Sequence, residues 1–143
     1  MADEKGDEYG VNMDYAGVII EESLFDKSLL DKVEVLSTKI EEVTQEHGTP
    51  WLKYWTLHTV KIKEINAQKT ANLLSKSLDY SHGSAWYADF KNEKWHYIIF
   101  KNKIFKINRK KPKRYEVAAN YGISLGIPAY QVDFSPAIEE WTR

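Results

Sequence analysis

The chain has 143 residues, of which 43% are hydrophobic, 29% charged and 13% aromatic, with a formal net charge of −1; this is the composition of one folded domain, not of a disordered or fibrous chain. Cysteine is absent, which excludes thiol nucleophiles, thiolate-held zinc, iron–sulfur clusters and disulfides. The charge is divided by position: residues 1–50 carry 13 acids against 4 lysines, and residues 51–143 carry 8 acids against 16 Lys and Arg.

Residues 1–14, MADEKGDEYGVNMD, lack the basic start and apolar run of a secretory signal and read as a flexible acidic leader, with the folded domain expected over 15–143. No apolar run approaches the ~20 residues that cross a bilayer, so a cytoplasmic protein with no membrane association is expected. Val18-Ile19-Ile20, bounded by Gly17 and Glu21, suits a first strand. In DKSLLDKVEVLSTKIEEVTQEHG, the residues Leu29, Val33, Leu36, Ile40 and Val43 recur at spacings of four and three, which predicts an amphipathic helix ended by Gly48 and Pro50.

WLKYWTLHTVKI, rich in aromatic and β-branched residues, predicts a second strand from about Tyr54. A second helix follows, with Asn66 as its cap and Ala67, Ala71, Leu74 and Leu78 as its buried stripe. SAWYADFKNEKW predicts a third strand that turns back at Lys91 to Lys94. WHYIIFKNKIFKIN then reads as a tight hairpin. A two-residue loop there puts Ile98, Phe100, Phe105 and Ile107 on one face with His96, taken as the main core, and Trp95, Tyr97, Ile99, Ile104 and Lys106 on the other, expected to receive the C-terminal segment. Pro112 and Gly122 bracket a short third helix, and the apolar residues from Ile123 to Trp141 are expected to pack back on the sheet. The order β-α-β-α-β-β-β-α defines an α+β fold, with the first two helices expected on one face of a mixed or antiparallel sheet.

Two clusters carry candidate chemistry. Lys101, Lys103, Lys106, Arg109, Lys110, Lys111, Lys113 and Arg114 fall within a stretch free of acids, the pattern that neutralises phosphates, and Trp95 and Tyr97 beside it are candidates to stack on unpaired bases. The plain alternative is an edge hairpin whose lysines block further strand pairing, followed by a solvated loop. The candidate ligand residues are therefore Lys106, Arg109, Lys110, Lys111, Arg114, Trp95 and Tyr97, with a nucleic acid or another anion as partner. The second cluster is Asp89, His58, His96 and Tyr87: a carboxylate and an imidazole in contact make a general base for a small hydrolase or isomerase, whereas separately they are satisfied polar side chains. His47, His58, His82 and His96 lack metal-ligand spacing, and no phosphate-binding glycine loop or serine-nucleophile motif occurs, so no metal and no cofactor is expected.

TPWLKYWTLHTVKI, SAWYADFKN, YIIFKNKIFKI and YGISLGIPAYQVDF together resemble a small, uncharacterised prokaryotic protein family over about residues 15–136. The resemblance implies one compact cytoplasmic domain and attaches no activity or catalytic residue to it. A binding or interaction module is the expectation, with a monomer favoured because lysines line the hairpin edge.

Overall fold

Strands β1 (Tyr15–Ile20), β2 (Glu34–Glu42), β3 (Tyr54–Ile62), β4 (Ala88–Lys91), β5 (Trp95–Phe100) and β6 (Lys103–Asn108) build one sheet in the order β2-β3-β1-β4-β5-β6. Every neighbouring pair is antiparallel. The structure, a computed structural model, describes residues 13–134; the acidic leader up to residue 12, and Ile138 and Trp141 of the C-terminal segment, lie outside the described residues. Among the described residues two α-helices complete the fold, α1 (Ala67–Ser77) and α2 (Tyr115–Ser124). The α+β class is thus as the sequence indicates, and no helix among the described residues is long and apolar enough to cross a membrane.

The order of elements differs from expectation at one place. The stretch expected to form the first helix instead makes a six-residue 3-10 segment, Lys27–Lys32, and then strand β2. Asp26 starts the 3-10 segment by accepting the Ser28 N–H at 3.0 Å, and Leu29 is its buried residue. Beyond it only the ends of the apolar stripe, Val33 and Val43, pack against the core, while Leu36 is 53% and Ile40 66% exposed. Helical spacing of apolar residues stabilises a helix only if that stripe meets a core. Here the β-branched Val33, Val35, Thr38, Ile40 and Val43 favour extended backbone, and the pairing with β3, from Glu34 opposite Lys61 to Glu42 opposite Tyr54, decides the matter. A bulge between Val35 and Ser37 interrupts that ladder. Gly48, with φ 74, ends a short 3-10 turn at Gln45–His47 rather than a long helix.

The hairpin of β5 and β6 has the anticipated two-residue turn, Lys101-Asn102, with Asn102 at φ 58 and Ile98 opposite Phe105. Alternation along β5 therefore creates two cores. Tyr97 and Ile99 pack with Ala67, Ala71 and Leu74 of α1, together with Tyr15, Phe90 and Val60. Ile98, Phe100 and Ile107 pack with Tyr115 and Ala118 of α2 and with Ile127, Val132 and Phe134. The helices consequently cover opposite faces, and the C-terminal segment returns to the Ile98 and Phe100 face, not to the Tyr97 face as expected. Gly122 lies inside α2 rather than at its end, because a Cβ there would sit 2.9 Å from Val132 and 3.2 Å from Phe100; Gly126, at φ 94, follows the helix.

Gly17 sets how closely the two halves of the sheet approach. A Cβ at this position would collide with the Asp89 carbonyl oxygen and lie 2.7 Å from Phe90 Cβ. Gly17→Ala is therefore expected to lower stability by about 3 kcal/mol or more, read as a drop in the urea midpoint at unchanged slope. Tyr15, edge-on to Phe90 and Tyr97 at 5.3 and 5.4 Å, gives a second test. Burial, then the neighbouring Tyr97 and Glu64, pushes its phenol from 10.0 up to about 12. The folded value lies above the unfolded one, so the stabilisation is complete below about pH 10 and is lost as pH rises towards 12. Unfolding midpoints of the wild type should fall over that interval, and those of Tyr15→Phe should fall less.

Candidate functional site

The basic cluster is folded into a defined loop. Lys111 N–H donates to the Asn108 carbonyl at 2.9 Å, Lys110 N–H to Asn108 Oδ1 at 3.0 Å, and Arg114 N–H to the Lys111 carbonyl at 3.0 Å. Pro112 opens a 3-10 turn, Pro112–Arg114, that runs into α2, since its fixed φ suits a first helical position and no N–H is missed there. The loop is fastened at its base by Arg109, whose N–H donates to the Lys94 carbonyl at 2.9 Å and whose guanidinium donates to the Asn92 carbonyl at 2.5 Å.

This arrangement returns Lys111 and Arg114 to the edge of the sheet. A cleft of about 320 Å³ results, lined by Trp95, Phe105, Lys106, Ile107, Asn108, Lys111, Arg114 and Val117. The lining contains three cations and no acid, and among the described residues none of the three cations forms an ion pair. Lys110 and Lys113 are exposed outside the lining. Of the seven residues proposed from the sequence as ligand contacts, four thus meet in one cleft: Trp95, Lys106, Lys111 and Arg114.

Tyr97 does not offer the exposed ring expected of it, because it is only 2% exposed beneath α1. Trp95 is half-buried, and its ring holds a lysine: Lys106 Nζ lies 4.6 Å from the Trp95 centroid and 5.6 Å from that of Tyr97, with Lys94 Nζ 5.7 Å from Trp95. The same device recurs where Lys103 Nζ lies 5.3 Å from Phe105 and 6.0 Å from Tyr121. An aromatic face positions an ammonium group by its quadrupole without cancelling the charge, as a carboxylate would. These rings therefore preserve positive potential at the strand edge.

The second cluster is brought together only in part. His96 Nε2 is 2.7 Å from Asp89 Oδ2 and His96 Nδ1 is 3.0 Å from the Tyr115 hydroxyl. His96 is 1% exposed, with the Phe134 ring edge-on at 5.9 Å. His58 is elsewhere: it pairs across the sheet with Ile19, one register position from the Val18 that faces Asp89, so the two side chains take opposite faces. Its own ring nitrogens lie 2.8 Å from Glu21 Oε1 and 2.9 Å from Thr38 Oγ1. The Tyr87 hydroxyl donates to the Gln131 carbonyl. With both nitrogens of His96 engaged and its ring enclosed, the His96–Tyr115 contact ties α2 to the sheet, and of the pair His96 and Asp89 only the carboxylate is partly exposed, its side chain at 12%.

Sequence reasoning missed Tyr115, the third member. Its signal was its place as the first α-helical residue after PKR, three before the buried Ala118, a spacing that aims it at the sheet. The aromatic stretch GTPWLKYWT is divided: Trp55 is buried and donates to Thr49 Oγ1 at 2.9 Å, while Trp51 stacks on His82 at 5.0 Å near the surface. Beside Trp55 lies a cavity of about 160 Å³ bounded by Thr49, Trp86 and Gln131. Among the described residues no group of three His, Asp or Glu side chains is arranged to hold a metal ion. No family model, no curated protein and no solved structure matches the chain, so the geometry alone bears on its role.

His96→Leu should strip Asp89 and Tyr115 of their shared partner and cost about 3 kcal/mol, whereas Tyr115→Phe, which removes one hydrogen bond, should cost about 1 kcal/mol. Urea unfolding of both variants measures the difference. Wild-type stability of His96→Leu would refute the tethering role.

Proposed function

We propose that the protein is a binding module that takes a phosphate-bearing anion in the cleft between β6 and the Pro112–Arg114 turn. The observation that carries this reading is the convergence of Lys106, Lys111 and Arg114 on one concave lining that contains no acid. Arg114 supplies a planar fork suited to two phosphate oxygens, and the two lysines supply compact charges. Asn108 adds an amide at the cleft wall, and Phe105, Ile107 and Val117 give an apolar floor that lowers local solvation and strengthens each charge contact. The near-zero net charge of the chain does not oppose this, because local potential and not the total governs attraction at a Debye length of about 8–10 Å.

Three phosphate contacts on a single strand predict a slope of log affinity against log salt near about −2, a loss of roughly 20-fold between about 50 and about 200 mM salt. Intrinsic tryptophan fluorescence, with Trp95 as the local reporter, follows the titration with a short oligothymidylate. Lys111→Glu combined with Arg114→Glu should reduce affinity by at least about tenfold at low salt. A slope near zero, or an unchanged affinity in that double variant, would remove the cleft from consideration.

A further inference from the structure

Among the described residues β6 is the last strand of the sheet, and no further strand pairs along its outer side. At its other end lies a second, wider cleft of about 440 Å³, lined by Asn72, Ser75, Lys76, Asn102, Lys103 and Ile104. Its two walls come from α1 and from the hairpin tip, and they are fastened together. Ser75 Oγ donates to the Phe100 carbonyl at 2.8 Å, and the Asn102 N–H donates to the Ser75 carbonyl at 3.2 Å. Lys76 is a residue that no reading of the basic run alone would include, since it is brought to the hairpin from 25 or more residues upstream by that pair of bonds.

The exposed side of α1 continues from this cleft back towards the first one. Gln68 Nε2 donates to Asn72 Oδ1 at 3.1 Å, and Gln68 Oε1 accepts from the Tyr97 hydroxyl at 3.4 Å. Tyr97 and Trp95 are the rings over which Lys106 is held. Cations and amides therefore flank the outer edge of β6 from both faces: Lys76, Asn72 and Lys106 on the α1 side, Lys103, its ammonium over Phe105 and Tyr121, on the α2 side, and Lys111 and Arg114 at the far end. The linings of both clefts are free of acids. The six residues of β6 at about 3.4 Å each separate the ends by about 17 Å.

We infer that the two clefts are the ends of one track along β6, and that its ligand is a single-stranded nucleic acid long enough to occupy both. This rests on the anion-binding reading of the first cleft and extends it to a ligand class. A compact phosphate satisfies one end only. A nucleotide chain carries one phosphate per residue along a track of this length and offers base edges and sugar hydroxyls to an exposed amide such as that of Asn72; an acidic peptide is the competing occupant. Phosphate contacts fix the strand in the track, and sequence tolerance follows, as in other electrostatic single-strand grooves.

The test compares ligands of different length on the intact protein: inorganic phosphate, a thymidine trinucleotide, a thymidine decanucleotide and a decamer of glutamate. The decanucleotide should bind at least about tenfold more tightly than the trinucleotide. Lys76→Glu with Lys103→Glu should weaken the decanucleotide by about tenfold and the trinucleotide by less than about twofold, and Lys76→Gln with Lys103→Gln should show the same pattern more weakly. Both lysines are exposed, so these variants retain the fold, which an unchanged unfolding midpoint verifies. Equal affinity for both lengths, with Lys111 and Arg114 still required, overturns the track and leaves the first cleft standing. Binding of neither oligonucleotide overturns both readings. A decaglutamate that binds as tightly as the decanucleotide overturns the assignment to nucleic acid.

Discussion

The fold depends on β5 being buried on both faces. From His96 to Phe100 every residue is buried, and because neighbours alternate in direction, this one strand supplies side chains to two separate cores. Its neighbours inherit the constraint. β4 contributes Ala88 and Phe90 to the α1 side while directing Asp89 to the α2 side, and α1 and α2 must cover opposite faces, since neither helix alone closes both. A polar residue in such a strand needs partners within the protein, and His96 has them in Asp89 and Tyr115. The imidazole of His96, one of the histidines that the sequence offers as a catalytic base, thus has both its nitrogens satisfied inside the protein.

The same strand explains why charge accumulates at the sheet edge. With β5 enclosed, β6 is the outermost element, and its exposed positions, Lys103 and Lys106, are the ones that neither core claims. Aromatic residues of the adjoining surface, Trp95, Phe105 and Tyr121, then serve as platforms for the ammonium groups of Lys103 and Lys106. Lysines at an edge also discourage another strand from pairing there. Edge protection and the proposed attraction of an anion would both follow from this one placement of charge and do not compete as explanations.

Much of this was legible before any coordinates. The hairpin register followed from period-two alternation and a two-residue turn, and α1 from a stripe of Ala67, Ala71, Leu74 and Leu78 that is entirely buried. What failed was β2, whose Leu36 and Ile40 obey helical spacing by coincidence; spacing records which side chains share a face but not whether that face finds a core. The assignment of faces to β5 failed for a related reason, because two apolar faces look alike in sequence and only the return of Ile127, Val132 and Phe134 distinguishes them. In the basic cluster, the composition was visible but not the selection: the turn after Asn108 returns Lys111 and Arg114 to the cleft and commits Arg109 to the hairpin base. Lys76 was invisible because its relevance arises from a tertiary contact between α1 and the hairpin tip.

The bulge between Val35 and Ser37 governs the opposite border of the sheet. A regular nine-residue border strand would present an even row of vacant amide and carbonyl groups, a template on which further chains can add without limit. The extra residue puts that row out of phase partway along, so an incoming strand aligned with Lys39 and Glu41 is misaligned before it reaches Glu34. The two described borders of the sheet thus differ in kind, lysines along β6 and a broken repeat along β2, and each works against the regular pairing of a further strand beside the exposed Leu36 and Ile40 or along β6.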